Sequence, residues 1–281
     1  MQNKKVSYAM RYKVRVRSLQ RGLEILETIS RASRPLSLTE IATQNGLSKT
    51  VALRFLETLC ALGYLIRGED KKYSLATKML SLGFSFLNSS SLRAVAKVYV
   101  DELSNQLDKT VNLAVLDGLE ILFLYRKEVR RFLKFDLQAG SRLPSYCTAS
   151  GKVLLAGLED GELKERISRM TLHQITPKTI ISKEELWNEI METRKRGYSI
   201  CDQELSMDLY SIAFPLLNAE GKIIAAINVS LDAKDKHLMI MDEIIAKLKD
   251  TSENVSRTLG YKGLFPRFPG KGDTNKKGGL Q

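Results

Sequence analysis

The chain has 281 residues, 43% of them hydrophobic, and a formal net charge of +12, which is enough apolar content for two packed domains and excludes a disordered protein. Its longest apolar runs, such as Ile223 to Ile227, are too short to span a bilayer and no apolar signal segment opens the chain, so a cytoplasmic protein without a membrane partner is expected. Cys60, Cys147 and Cys201 are scattered and only His173 and His237 accompany them, so neither a disulfide scaffold nor a metal or cofactor site is expected.

The charge is concentrated at the ends. Residues 1–17 carry six cations and no acid, residues 18–78 carry nine cations against six acids, and the stretch 79–261 is essentially neutral. A basic arm ahead of a mildly basic segment is what neutralising nucleic-acid phosphates requires, whereas the neutral middle must serve another purpose.

The first expected helix, Ser18 to Arg31, carries Leu19, Leu23, Leu26 and Ile29 as an apolar stripe. Ser37 and Glu40 have the spacing of a capping box that opens a second helix with Ile41 and Ala42 inward, and Gly46 permits a sharp turn. Ser48 then caps a third helix with Val51, Phe55, Leu59 and Leu62 on one face, leaving Lys49, Thr50, Leu53, Arg54 and Glu57 for a partner. Tyr64-Leu65-Ile66 can pair with Tyr73-Ser74-Leu75 as a hairpin with Lys71 and Lys72 near its tip. This order reads as a winged helix-turn-helix whose third helix enters a DNA major groove. Double-stranded DNA is the expected partner, and the residues expected to face it are Arg17, Gln20, Ser48, Lys49, Thr50, Arg54, Lys71 and Lys72.

A linker helix follows, with Met79, Leu80, Leu82 and Phe86 at helical spacing, and its apolar side is expected to make a homodimer or homotetramer contact. From Leu92 a helix reaches about Leu107. Thr110 to Leu116 and Glu120 to Tyr125 then flank the Asp117-Gly118 turn as a hairpin. Phe132 to Leu137 reads as another strand, Thr148 to Leu158 as a helix, and a later helix runs from the Ser182/Glu185 capping pair to Gly197. Strands at Tyr198 to Cys201, Tyr210 to Leu217 and Lys222 to Leu231, with a last helix from His237 to Leu259, complete an α+β domain large enough for a ligand cavity. Beyond Gly260 a disordered basic tail is expected.

The stretches A-G-S-R-L-P-S-Y-C-T-A-S-G-K-V-L-L-A (139–156), D-Q-E-L-S-M-D-L-Y-S-I-A-F-P-L (202–216) and A-A-I-N-V-S (225–230) resemble transcriptional regulators of the IclR family. The R-F-L-x-T-L pattern from Arg54 and the L-P-x-Y-C-T pattern from Leu143 are similar to the subgroup that regulates aromatic-acid catabolism through the β-ketoadipate pathway (Pca/Pob-type). That subgroup's G-L-R-S-I-A reads Asp208-Leu209-Tyr210-Ser211-Ile212-Ala213 here, with Tyr210 in the arginine's place. The resemblance implies a basic arm at 1–13, a winged helix-turn-helix at 14–78, a linker helix at 79–91, a GAF-like effector-binding domain at 92–260 and the tail at 261–281. It also implies effector contacts at Ala149, Ser150, Asp202, Ser211, Asn228 and Ser230.

The effector is expected to be a small organic, aromatic acid whose carboxylate lies at the first-turn amides of Ala149 and Ser150, with Asp202 accepting from a ring hydroxyl. The implied function is a ligand-responsive regulator of a catabolic operon rather than an enzyme. Two other readings stay open: a DNA-binding oligomerisation scaffold without a ligand, and an enzyme or redox sensor built on Cys147 near a helix N-terminus.

Overall fold

The computed structural model describes residues 16–32, 34–130, 137–237 and 240–269. The basic arm at 1–13 and the expected strand at 132–137, save its last residue, lie outside these. The chain divides into two compact units between Ser89 and Ser90.

The first unit holds α1 (Arg17–Ser30), α2 (Leu38–Gln44), α3 (Lys49–Ala61), the hairpin β1 (Leu65–Arg67) and β2 (Tyr73–Leu75), and α4 (Lys78–Ser89). The Ser37/Glu40 capping box forms reciprocally: the Ser37 side chain accepts from the Glu40 amide, and the Glu40 carboxylate accepts from the Ser37 amide at 2.8 Å. Asn45 ties the turn to α1, its Nδ2 donating to the Ile41 carbonyl while its Oδ1 accepts from Thr28 Oγ1. Gly46 takes φ +65°, a backbone region that glycine enters without a Cβ penalty. Leu36 pairs with Tyr73 and adds a third, single-residue strand to the hairpin.

Two expected stripes shift by about one residue. In α1 the buried residues are Ile25, Leu26 and Ile29, while Leu19 and Leu23 are exposed; Gly22, which carries no weight in an apolar pattern, lies on the packed face near Phe55. In α3 Ala52, Leu56 and Leu59 are buried, Val51 and Phe55 are half-buried, and Leu62 is exposed at the C-terminal cap. A small alanine at a close helix contact carries no weight in an apolar pattern, yet it sets which face can approach.

The second unit is one antiparallel six-stranded sheet of order β5-β4-β3-β8-β7-β6. Its strands are β3 (Thr110–Asp117), β4 (Glu120–Lys127), β5 (Arg142–Pro144), β6 (Ser199–Asp202), β7 (Leu209–Leu217) and β8 (Ile223–Asp232), with α5 (Ser91–Leu107), α6 (Ala149–Ala156), α7 (Asp160–Arg169), α8 (Lys183–Arg196) and α9 (Ile240–Thr258). One core, containing Val100, Leu103, Val229, Ile244 and Leu248, joins α5 and α9 to one sheet face; the other, containing Val153, Leu155, Leu163 and Leu186, joins α6, α7 and α8 to the opposite face. The Asp117-Gly118 hairpin forms with Gly118 at φ +66°, and Gly197 ends α8 at φ +92°. β5 carries no strand-length apolar pattern and was not expected from sequence.

The expected tail begins too early. Tyr261 and Phe268 are 3% and 2% exposed, and Phe268 belongs to the core under α6, so residues 261–269 are packed by two aromatic anchors inside a Gly/Pro/Lys-rich composition. Among the described residues no helix is long and apolar enough to cross a membrane.

Candidate DNA interface and effector cavity

The first unit brings its expected DNA-facing side chains to the surface. Lys49, Thr50 and Arg54 are exposed on the first turns of α3, which Ser48 caps by accepting from the Val51 amide at 3.3 Å. Ser48 is exposed but spends its oxygen on that cap. Arg17 and Gln20 are exposed on α1, with Gln20 donating to Glu24 at 3.1 Å. Lys71 sits at the wing tip in the left-handed region, φ +60°, and Lys72 is held by Asp70 at 3.2 Å. At the base of the hairpin Lys78 donates to the Leu62 carbonyl at 2.9 Å and lies 4.6 Å from the Tyr64 ring centre, which fixes the end of α3 to the start of α4. An exposed helix start bearing Lys, Thr and Arg offers donors for phosphates and base edges.

In the second unit a small cavity of about 40 Å³ lies between the sheet and the N-terminus of α6. Cross-strand register builds its floor. Arg126, Asn112, Asn228, Ala213 and Ser199 are successive partners across β4, β3, β8, β7 and β6, and the row beside it contains Ser230, Ser211 and Cys201. Directly opposed residues share a sheet face, so both rows point at α6. A hydrogen-bonded chain runs along them: Ser150 Oγ to Asn228 Oδ1 at 3.0 Å, Asn228 Nδ2 to Ser230 Oγ at 3.2 Å, Asn112 Nδ2 to the same Ser230 oxygen at 3.4 Å, and Arg126 Nη1 to Asn112 Oδ1 at 2.6 Å. Ile121, Phe123, Leu143, Leu205 and Leu209 form the apolar wall.

The roof is the start of α6. Thr148 caps it by accepting from the Gly151 amide at 3.2 Å, which leaves the Ala149 and Ser150 amides in a first turn that intrahelical bonds do not reach. A Cβ at Gly151 would overlap the Ser145 backbone, so the helix start can press this close only with glycine there. Behind it Lys152 pairs with Glu204 in the interior and donates to the Ile200 carbonyl at 3.2 Å. Burial pushes the Glu204 carboxyl up against the opposing pull of Lys152, and its Oε2 has no hydrogen-bond partner.

Of the six expected effector contacts, Ala149, Ser150, Ser211, Asn228 and Ser230 line the cavity and Asp202 does not. The reason is the two-residue period of a strand: Cys201 faces the cavity, so its neighbour Asp202 points away. Asp202 is instead paired with Lys178 at 3.3 Å and Lys236 at 3.1 Å. Burial opposes its ionisation, but those lysines outweigh it and hold the carboxyl below its usual range. Tyr210, opposite Asp202, packs among the α5/α9 core and not in the cavity.

Arg126 was missed from sequence, as was Asn112. Arg126 has only 8% of its side chain exposed and, with Asn112, reaches the floor from a hairpin that matched no site motif. The cavity that was expected to offer an acid only the α6 amides therefore also contains a buried guanidinium.

The Cys147 thiol is fully buried and out of reach of a substrate. Burial first, then Cys201 and Glu204, push its thiol far above the ordinary range, and burial pushes Cys201 up to about 12. A protonated thiol is inert. Among the described residues no His, Cys, Asp and Glu cluster could hold a metal ion.

A winged helix-turn-helix with an exposed basic recognition helix, followed by a GAF-like α+β unit, defines the class: DNA-binding transcriptional regulators with a separate second domain. Residues 18–68 match the IclR helix-turn-helix domain and residues 84–257 match the C-terminal domain of bacterial IclR transcriptional regulators. The chain belongs to the IclR family. It is 38% identical over 214 residues to the Pca regulon regulatory protein of Pseudomonas putida, covering 76% of this chain and 73% of that protein. It is 30% identical to the p-hydroxybenzoate hydroxylase transcriptional activator of Acinetobacter baylyi, covering 85% and 90%. A transcriptional regulator from Rhodococcus sp. RHA1 has the same fold, with a TM-score of 0.73 and 33% identity over 87% of this chain and 98% of that one. These relatives are regulators rather than enzymes, in keeping with the buried, protonated Cys147.

Proposed function

We propose that this chain is a ligand-responsive, sequence-specific regulator of a catabolic operon, and that its effector is a small aromatic acid bound beneath the N-terminus of α6. The observation that carries this is the pairing of an apolar wall with a polar floor around Ser150, Asn228 and Ser230 in one cavity. The names of its Pseudomonas and Acinetobacter relatives support the aromatic class. Ala149, Ser150, Ser211, Asn228 and Ser230 contact the ligand; Asp202 serves the surface ion pairs instead. Lys49, Thr50 and Arg54 read the operator, with Arg17, Gln20, Lys71 and Lys72 on its phosphates. The exposed Leu80, Leu82 and Phe84 of α4 support a homodimer or tetramer; the cytoplasm is its proposed place of action.

The test is calorimetry with benzoate, 4-hydroxybenzoate, protocatechuate and catechol, paired with affinity for duplexes that the chain selects from a random-sequence library. An acid should bind and should change duplex affinity by the same factor by which the duplex changes acid affinity. Selective duplex binding without any response to acids would reduce the chain to the scaffold reading.

A further inference from the structure

We infer that Arg126 is the residue that anchors the effector's carboxylate and so makes the cavity select acids over their neutral analogues, with Glu128 as the resident anion that the ligand must compete against. This rests on the reading of the cavity as an organic-acid site.

Among the described residues lining the cavity, Arg126 alone is charged. Its guanidinium has five N–H donors, and three are used: Nη1 to Asn112 Oδ1 at 2.6 Å, and Nε and Nη2 to one oxygen of Glu128 at 3.0 and 2.8 Å. Two donors remain for an incoming carboxylate, which this planar group recognises through paired bonds. Asn112 holds the aim. Its oxygen accepts from Arg126 while its amide donates to Ser230, which fixes its flip and fixes Nη1 toward the floor.

The two ends of the ion pair differ in freedom. Arg126 is 8% exposed and Glu128 is 32% exposed, so Glu128 can rehydrate when an anion arrives whereas Arg126 stays in place. An acid takes the two remaining donors and shares the buried cation with Glu128, whose hold weakens as it rehydrates. A neutral amide of the same shape brings no charge to share it. The other buried cation nearby, Lys152, is committed to Glu204 and the Ile200 carbonyl behind α6. One available guanidinium implies a ligand with one carboxylate, so monoacids should outrank dicarboxylates.

The experiment uses matched pairs, 4-hydroxybenzoate with 4-hydroxybenzamide and benzoate with benzamide, titrated calorimetrically into the full-length chain and its Arg126→Gln, Arg126→Lys and Glu128→Gln variants. Wild type should prefer the acid of a pair by roughly 10-fold or more, the range of a charge-assisted hydrogen bond. Arg126→Gln should abolish that preference while amide affinity changes little, Arg126→Lys should keep part of it, and Glu128→Gln should tighten the acid but not the amide. An undiminished acid preference in Arg126→Gln would assign the anion to the α6 amides and overturn the inference alone. Should Arg126→Gln fail to fold, Glu128→Gln decides, because an acid affinity that does not rise there removes the competition on which the inference depends. Wild type binding no acid of either pair overturns the inference together with the acid-site reading beneath it.

Discussion

Arg54 and Arg126 are both placed to meet an anion, but one is exposed on a helix surface and the other is almost wholly buried beneath a helix start. The first unit keeps its core, Ile25, Ile41, Leu56 and Leu65, separate from the side chains offered to DNA. The second unit places its polar side chains inside: Asn112, Ser150, Lys152, Glu204 and Asn228 are all buried. Surface positions can therefore change recognition at little cost in stability, whereas in the cavity recognition and stability share the same atoms.

The comparison breaks most readily at Lys152. Lys152→Met leaves the Glu204 carboxylate buried without its cation and should destabilise the second unit by about 3 to 5 kcal/mol in urea unfolding. Glu204 already has a raised folded-state pKa, and the loss of Lys152 raises it further. A raised acid gains stability on protonation, so the deficit should shrink as pH falls and widen as pH rises through the folded pKa. A cost under about 1 kcal/mol, within the range of surface substitutions and small core changes, would remove the contrast between the units.

Arg54→Ala should weaken operator binding by about 1 to 3 kcal/mol if the guanidinium reads a base, with the unfolding midpoint unmoved. Unchanged duplex affinity for both Arg54→Ala and Lys49→Ala would show that α3 is not the reading helix.

Two smaller effects sharpen the comparison. Asp202→Ala removes a half-exposed partner of Lys178 and Lys236 and should leave acid affinity within about 2-fold, because surface ion pairs contribute little and this one faces away from the cavity. Selective loss of hydroxylated acids in that variant would return Asp202 to the site. In the first unit, the hydrogen bond from Arg34, then those from the Ser37 backbone and hydroxyl, lower Glu40 to about 2. Its contribution is present above the ordinary carboxyl range and is lost as pH falls through about 2. Thermal melts should show Glu40→Gln below wild type near neutrality, with the gap closing toward that acid limit.

What was legible in the sequence was local. Capping at Ser37, Ser48 and Ser182 and the turns at Gly46, Gly118 and Gly197 lie where their residues alone place them, because each signal is satisfied within a few positions of chain. Five of the six residues carried over by motif line the cavity for the same reason: T-A-S-G, S-I-A and I-N-V-S each lie at one element. The rotated faces of α1 and α3, the packing of Phe268, the outward turn of Asp202 and the entry of Arg126 and Asn112 were not legible. All of them depend on which residue of one element lies opposite which residue of another. Hydrophobic pattern and motif specify a strand's two faces, but only the paired sheet, with α6 pressed onto one side of it, decides which face looks into the cavity and which distant arginine shares it.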